Sequence, residues 1–237
     1  TPKAATSGTV TVEVVTPPTV DLVVPADGAL YTEGQQVTAD YSCASPLGGS
    51  GLVACLGDRP DGEPIDTSLG VHEFTVVATE RSDDATAVTH TYRVGTIRPD
   101  ARIQRGTGPR RGNGVYNDLA AQTVTGAAPA GGQVTYFVSI QNDGTVLDSF
   151  TLRGQPGTSR FTIAYRSADN RPITGQVVAG TYTTDPISPG GLDWIRATVR
   201  VRSAGPIGGR LARTVTGRSV TTPSLFDTVR FTTSRSR

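Results

Sequence analysis

Two histidines, His72 and His90, are the imidazoles available to act as a general base near neutral pH. Both fall in runs with strand periodicity, and nothing in the sequence pairs either with a nucleophile, as a triad requires. The chain contains no Gly-x-Ser-x-Gly elbow, no Gly-x-x-x-x-Gly-Lys-Ser/Thr loop and no His-Glu-x-x-His motif. The expectation is therefore that it is not an enzyme. Carboxylates gather at Asp58, Asp61 and Glu63, and at Asp83 with Asp84. A calcium ion takes loop oxygens of this kind, yet neither group follows the spaced Asp-x-Asp-x-Asp-Gly pattern, and no metal or cofactor is expected. Glycosidase geometry does not follow from loop acids alone.

The two cysteines, Cys43 and Cys55, flank a Gly/Ser-rich stretch, residues 44–54. With no CxxC and no further ligands in a zinc pattern, a disulfide is the natural reading, and it implies an oxidising compartment. The run from Arg105 to Gly114 superficially resembles a phosphate loop, but no lysine closes it and no helix pattern follows, so a flexible surface loop is expected. Trp194 is the sole tryptophan. It could serve as a sugar-stacking platform, but Leu192-Asp193-Trp194-Ile195 reads more simply as the start of a core strand.

The elements that carry these residues are β-strands. Val10, Val12 and Val14 alternate with polar neighbours over residues 9–15, and Pro17-Pro18 then breaks the pattern. This segment either ends a preceding domain or reaches into a neighbouring molecule. Strands are expected at residues 20–24, 36–42, 71–78 and 87–94, separated by turns such as Pro25-Ala26-Asp27-Gly28. Residues 57–64 are read as a Gly/Pro/Asp-rich connection. The apolar positions Val71, Phe74, Val76 and Ala78 mostly alternate, and Val88, His90, Tyr92 and Val94 share one face. Beyond a linker at residues 95–99, strands are expected at 122–125, 133–142, 148–154, 161–167, 195–202, 211–219 and 227–232. Val134, Tyr136, Val138 and Ile140 share a face, and Val199 and Val201 alternate with Arg200 and Arg202.

A chain of 237 residues with 28 Gly and 16 Pro, rich in Thr and Val, fits two sandwich domains. The expected fold is all-β: two tandem immunoglobulin-like antiparallel β-sandwiches, residues 19–96 and 97–237, preceded by a strand arm and linker at 1–18. No apolar run is long enough to span a bilayer. Methionine is absent even at position 1, which reads as a processed chain or an excised fragment. The net charge of +1 conceals two opposite halves. Residues 1–96 carry Lys3, Arg59, Arg81 and Arg93 against 13 acidic side chains, whereas residues 97–237 carry 18 arginines against 8 aspartates. Either this reflects the separate origins of the domains, or it supports head-to-tail assembly. No nucleic-acid partner is expected.

Residues 25–31 (PADGALY), 39–43 (ADYSC), 51–55 (GLVAC) and 72–76 (HEFTV) resemble the bacterial immunoglobulin-like repeats of HYR type found on exported actinobacterial proteins. Both cysteines fall where that family places its pair. The family's Asp-Asn-Ala-Gly-Asn turn is replaced here by Glu80-Arg81-Ser82-Asp83-Asp84. In the second half, residues 141–152 (QNDGTVLDSFTL) and 179–184 (AGTYTT) are similar to CARDB-like or adhesin-like modules. What the resemblance implies is an extracellular stalk or adhesive segment of a surface protein or filament, with other copies or neighbouring domains as partners. Donation of the 9–15 strand to the next subunit is one form of such assembly. The alternative is an accessory carbohydrate-binding module of a larger secreted enzyme.

Overall fold

The computed structural model describes residues 16–203 and 206–237. Val10, Val12 and Val14 lie outside the described residues. The chain divides between Val94 and Gly95 into two compact units, each an immunoglobulin-like β-sandwich. The first contains β1 (Thr19–Val24), β2 (Leu30–Thr32), β3 (Asp40–Ala44), β4 (Leu52–Gly57), β5 (Gly70–Glu80) and β6 (Ala85–Gly95). β1 and β3 form an antiparallel pair, and the other four make a sheet in the order β2-β6-β5-β4. Leu22, Tyr41, Phe74, Val76, Tyr92 and Val94 fill the space between them. Period-two side chains must bury one face, and stacking the second sheet on the first covers it.

On β5 the inward set is Phe74, Val76, Ala78 and Glu80, while Val71 is 61 % exposed. The alternation holds from Phe74 onward, and Val71, three residues before Phe74, falls on the outer face. On β6 the grouping of Val88, His90, Tyr92 and Val94 matches the burial. β4 was absent from the expected set because glycine and serine dominate residues 44–51 and hide the strand that follows. It carries Cys55, which is bonded to Cys43 on β3 across the two sheets. Glu80 is fully buried; its carboxylate accepts bonds from the Ser45 hydroxyl (2.5 Å) and from the Ser50 N–H (3.0 Å) and hydroxyl. These bonds order the 45–50 loop beneath the disulfide.

The second unit contains β7 (Pro99–Arg105), β8 (Thr123–Ala128), β9 (Gln133–Asn142), β10 (Phe150–Gly154), β11 (Phe161–Ser167), α1 (Thr174–Ala179), β12 (Tyr182–Thr183), β13 (Leu192–Val201), β14 (Arg210–Ser219) and β15 (Phe226–Arg235). One sheet runs β12-β10-β14-β15-β8 and the other β11-β13-β9-β7. The β15–β8 pair is parallel, a departure from the all-antiparallel expectation. Tyr136, Phe150, Phe231, Ile103, Ile140, Leu152 and Ile195 are fully buried between the sheets, with Tyr136 and Phe231 stacked at 4.7 Å. α1 has six residues, too few to show a helical period. It ends at Gly180, whose φ of 75° is the left-handed conformation that glycine adopts without a Cβ penalty.

Residues 95–99 are bonded to the turn at 143–145, with Asp143 N–H to Arg98 O at 2.8 Å and Thr145 N–H to Thr96 O at 2.9 Å. They are therefore an integral edge of the second unit and not a free linker. Asn142-Asp143-Gly144 forms a turn in which Gly144 N–H donates to Asn142 Oδ1 at 3.0 Å. Gly144 does not have positive φ; the Thr96 carbonyl oxygen occupies the place where a Cβ would stand. The Arg105–Gly114 run is likewise pinned. Ile103 and Arg111 exchange backbone bonds at 2.9 and 2.8 Å, and Gly114 N–H reaches Asp100. Asp227, fully buried on β15, accepts from the N–H groups of Ala101 (2.8 Å), Asn117 (2.7 Å) and Thr228 (2.8 Å) and from Gln122 Nε2 (2.6 Å). One carboxylate so ties β7 of one sheet to β15 of the other.

Candidate functional site

His72, His90, Asp58, Asp61 and Asp84 each engage neighbouring groups of the first unit. His90 Nδ1 lies 2.8 Å from the Pro25 carbonyl oxygen. His72 stacks on Tyr92, with Nε2 at 2.7 Å from the Ser68 carbonyl oxygen and Nδ1 at 3.8 Å from Asp66. Serine, histidine and aspartate thus meet, but the ring nitrogen faces a carbonyl and not the hydroxyl that a triad would activate. Asp58 accepts from Thr75 N–H (2.8 Å), Asp61 from Tyr41 N–H (3.0 Å) and Asp84 from the Ser82 hydroxyl (2.7 Å). Among the described residues, no group of three or more His, Cys, Asp or Glu side chains could hold a metal ion.

Trp194 departs from the expectation of a core residue. β13 turns Ile195, Ala197, Val199 and Val201 inward, all fully buried, so Trp194, Arg196, Thr198 and Arg200 point to the opposite, outer face. Extending the Val199/Val201 period back six residues would have placed Trp194 outside. The same logic applies to β9. Tyr136 and Val138 are core, which leaves Phe137 outside between them. Register then assembles the face: Trp194 is opposite Ser139, and Arg196 is opposite Phe137, which is in turn opposite Gln104 on β7. The Trp194 and Phe137 rings meet edge to face, with centroids 5.5 Å apart.

These two rings floor a groove of about 140 Å³, bordered by Gln104, Arg110, Ser139 and Leu192. The bridge between Ile103 and Arg111 holds Arg110 at its rim, and the Arg110 Nε–H donates to Gln104 Oε1 at 3.4 Å. An aromatic floor with amide and guanidinium groups at its edge can stack an apolar ring face and hydrogen-bond its polar periphery. Sequence reasoning missed Phe137, Gln104 and Arg110 because they come together only through strand register.

A second concavity, about 620 Å³, opens at one end of the same unit around Tyr182, Asp169, Asp185 and Asp193. Asp193 has its pKa raised, first by burial and then by the neighbouring Asp185 and Asp169 carboxylates, against the bond from Trp194 N–H. Burial likewise raises the Tyr182 hydroxyl. Among the described residues no helix is long and apolar enough to cross a membrane.

No protein-family model and no curated protein sequence matches the chain. Among solved structures, the chain is similar to the fibronectin(III)-like modules of Clostridium thermocellum CbhA, at 10% identity over 92% of this chain and 94% of that one, with a TM-score of 0.33. A family 123 glycoside hydrolase from Clostridium perfringens matches at 8% identity over 58% of this chain, with a TM-score of 0.34; the match spans 27% of the hydrolase. The C-terminal domain of the antigen I/II-family protein AspA of Streptococcus pyogenes matches at 10% identity over 70% of this chain and 55% of that one, with a TM-score of 0.28. At these TM-scores the fold assignment rests on the chain's own sheets.

Proposed function

We propose that this chain is a non-catalytic, extracellular adhesive module that binds a glycan through the outer face of the β11-β13-β9-β7 sheet. The observation that carries this reading is the placement of Trp194 and Phe137. A soluble sandwich that needed those rings for stability would turn them inward, yet they form the floor of an open groove with polar groups at its rim. The cross-sheet disulfide supports the location, because such bonds persist in oxidising compartments. The non-catalytic assignment is supported by the backbone engagements of His72 and His90.

The test is binding to an immobilised glycan panel. Saturable binding is expected, and Trp194→Ala should abolish it while leaving the circular dichroism spectrum and melting unchanged. Binding that survives both Trp194→Ala and Phe137→Ala would refute the reading.

A further inference from the structure

We infer that the ligand of this face is an acidic polysaccharide, one bearing carboxylate or sulfate groups; this rests on the binding face proposed above. Arg166 on β11 is the direct cross-strand partner of Arg196 on β13. Like charges placed opposite one another on a sheet repel, and an opposite charge between them is the usual remedy. None is present: Arg166, Arg196, Arg110 and Arg200 form no ion pair among the described residues, whereas Arg102 and Arg171 do. Instead, Asn170 holds the pair in place. Its carbonyl oxygen accepts from Arg166 Nη1 at 2.8 Å, and its Oδ1 accepts from Arg196 Nη2.

Two guanidiniums oriented by a neutral residue keep their charge for an external anion. Arginine forks match carboxylate and sulfate oxygens in pairs, which strengthens such bonds over those to neutral hydroxyls. The register sets these charges beside the rings. Arg196 is directly opposite Phe137 and two residues from Trp194 on the same face of β13. Arg200 continues the face four residues further on, so the stretch from Trp194 to Arg200 measures about 20 Å at the strand rise. That length suits an oligosaccharide segment. A single-stranded nucleic acid would also meet positive charge here, but successive bases need successive flat platforms. Trp194 and Phe137 meet at 65°, which leaves one exposed ring plane and favours the sugar polymer.

The experiment is equilibrium titration of the whole chain with polygalacturonate (carboxylate), heparin (sulfate), dextran (neutral) and oligo-dT. At least one of the two acidic polymers is expected to bind. Arg166→Gln with Arg196→Gln should weaken that binding by about tenfold, the loss of one or two charge-assisted bonds, and Arg200→Gln should weaken it less. Raising salt from about 50 to about 200 mM should weaken it further. Equal binding of dextran, or acidic binding indifferent to the arginine substitutions, overturns the acidic ligand while leaving the aromatic groove standing. Preference for oligo-dT overturns it in favour of nucleic acid, and failure of all four polymers overturns both this inference and the glycan reading.

Discussion

Aspartates show how differently one residue type can be used in this chain. Asp227 has neutral donors on every side, and Asp227→Ala would leave the buried Ala101 N–H and one hydrogen of the buried Gln122 amide without their acceptor. A loss of roughly 3 kcal/mol of unfolding free energy is expected, measured by chemical denaturation. Asp193 is the opposite case. Burial and like-charge neighbours raise its pKa, so the folded chain holds that proton more tightly than the unfolded chain does. The associated stability is fully present below the ordinary value of 3.8 and is lost as pH rises through the folded pKa. Asp193→Asn, which keeps the acceptor for Trp194 N–H, should therefore raise the melting temperature near neutral pH. The gain should vanish on acidification below about pH 4.

At the level of strands, alternation decided what could be read and what could not. Phe74, Val76, Tyr136, Val138, Val199 and Val201 announced their inward faces directly, because hydrophobic and polar residues alternate around them. β4 and α1 did not. The first follows a glycine-rich stretch, and the second is shorter than two helical turns. The groove was half legible: periodicity contains the outward positions of Phe137 and Trp194, but pairing Arg196 with Phe137 and Gln104 is a matter of register, which no single strand encodes. The disulfide joins β3 to β4 and hence one sheet to the other in the first unit. Its 12-residue separation gives roughly 3 kcal/mol in the chain-entropy model. Replacing both cysteines by alanine should lower the stability of that unit by about this amount.

Among the described residues of the whole chain, two separate hydrophobic cores divide the stability into two ledgers. Calorimetry should resolve two transitions, of which reduction shifts the one belonging to the first unit and leaves the second in place. The bond between Cys43 and Cys55 also has a mechanical meaning. Under tension along the backbone, the cross-link withholds residues 44–54 from extension however far the first unit unravels. Twelve peptide steps already clamped to 5.8 Å between Cα atoms stay folded into that span. In single-molecule pulling, reduction should lengthen the unravelled first unit by roughly 35 Å, so the redox state of the surroundings would set how much length that unit can release.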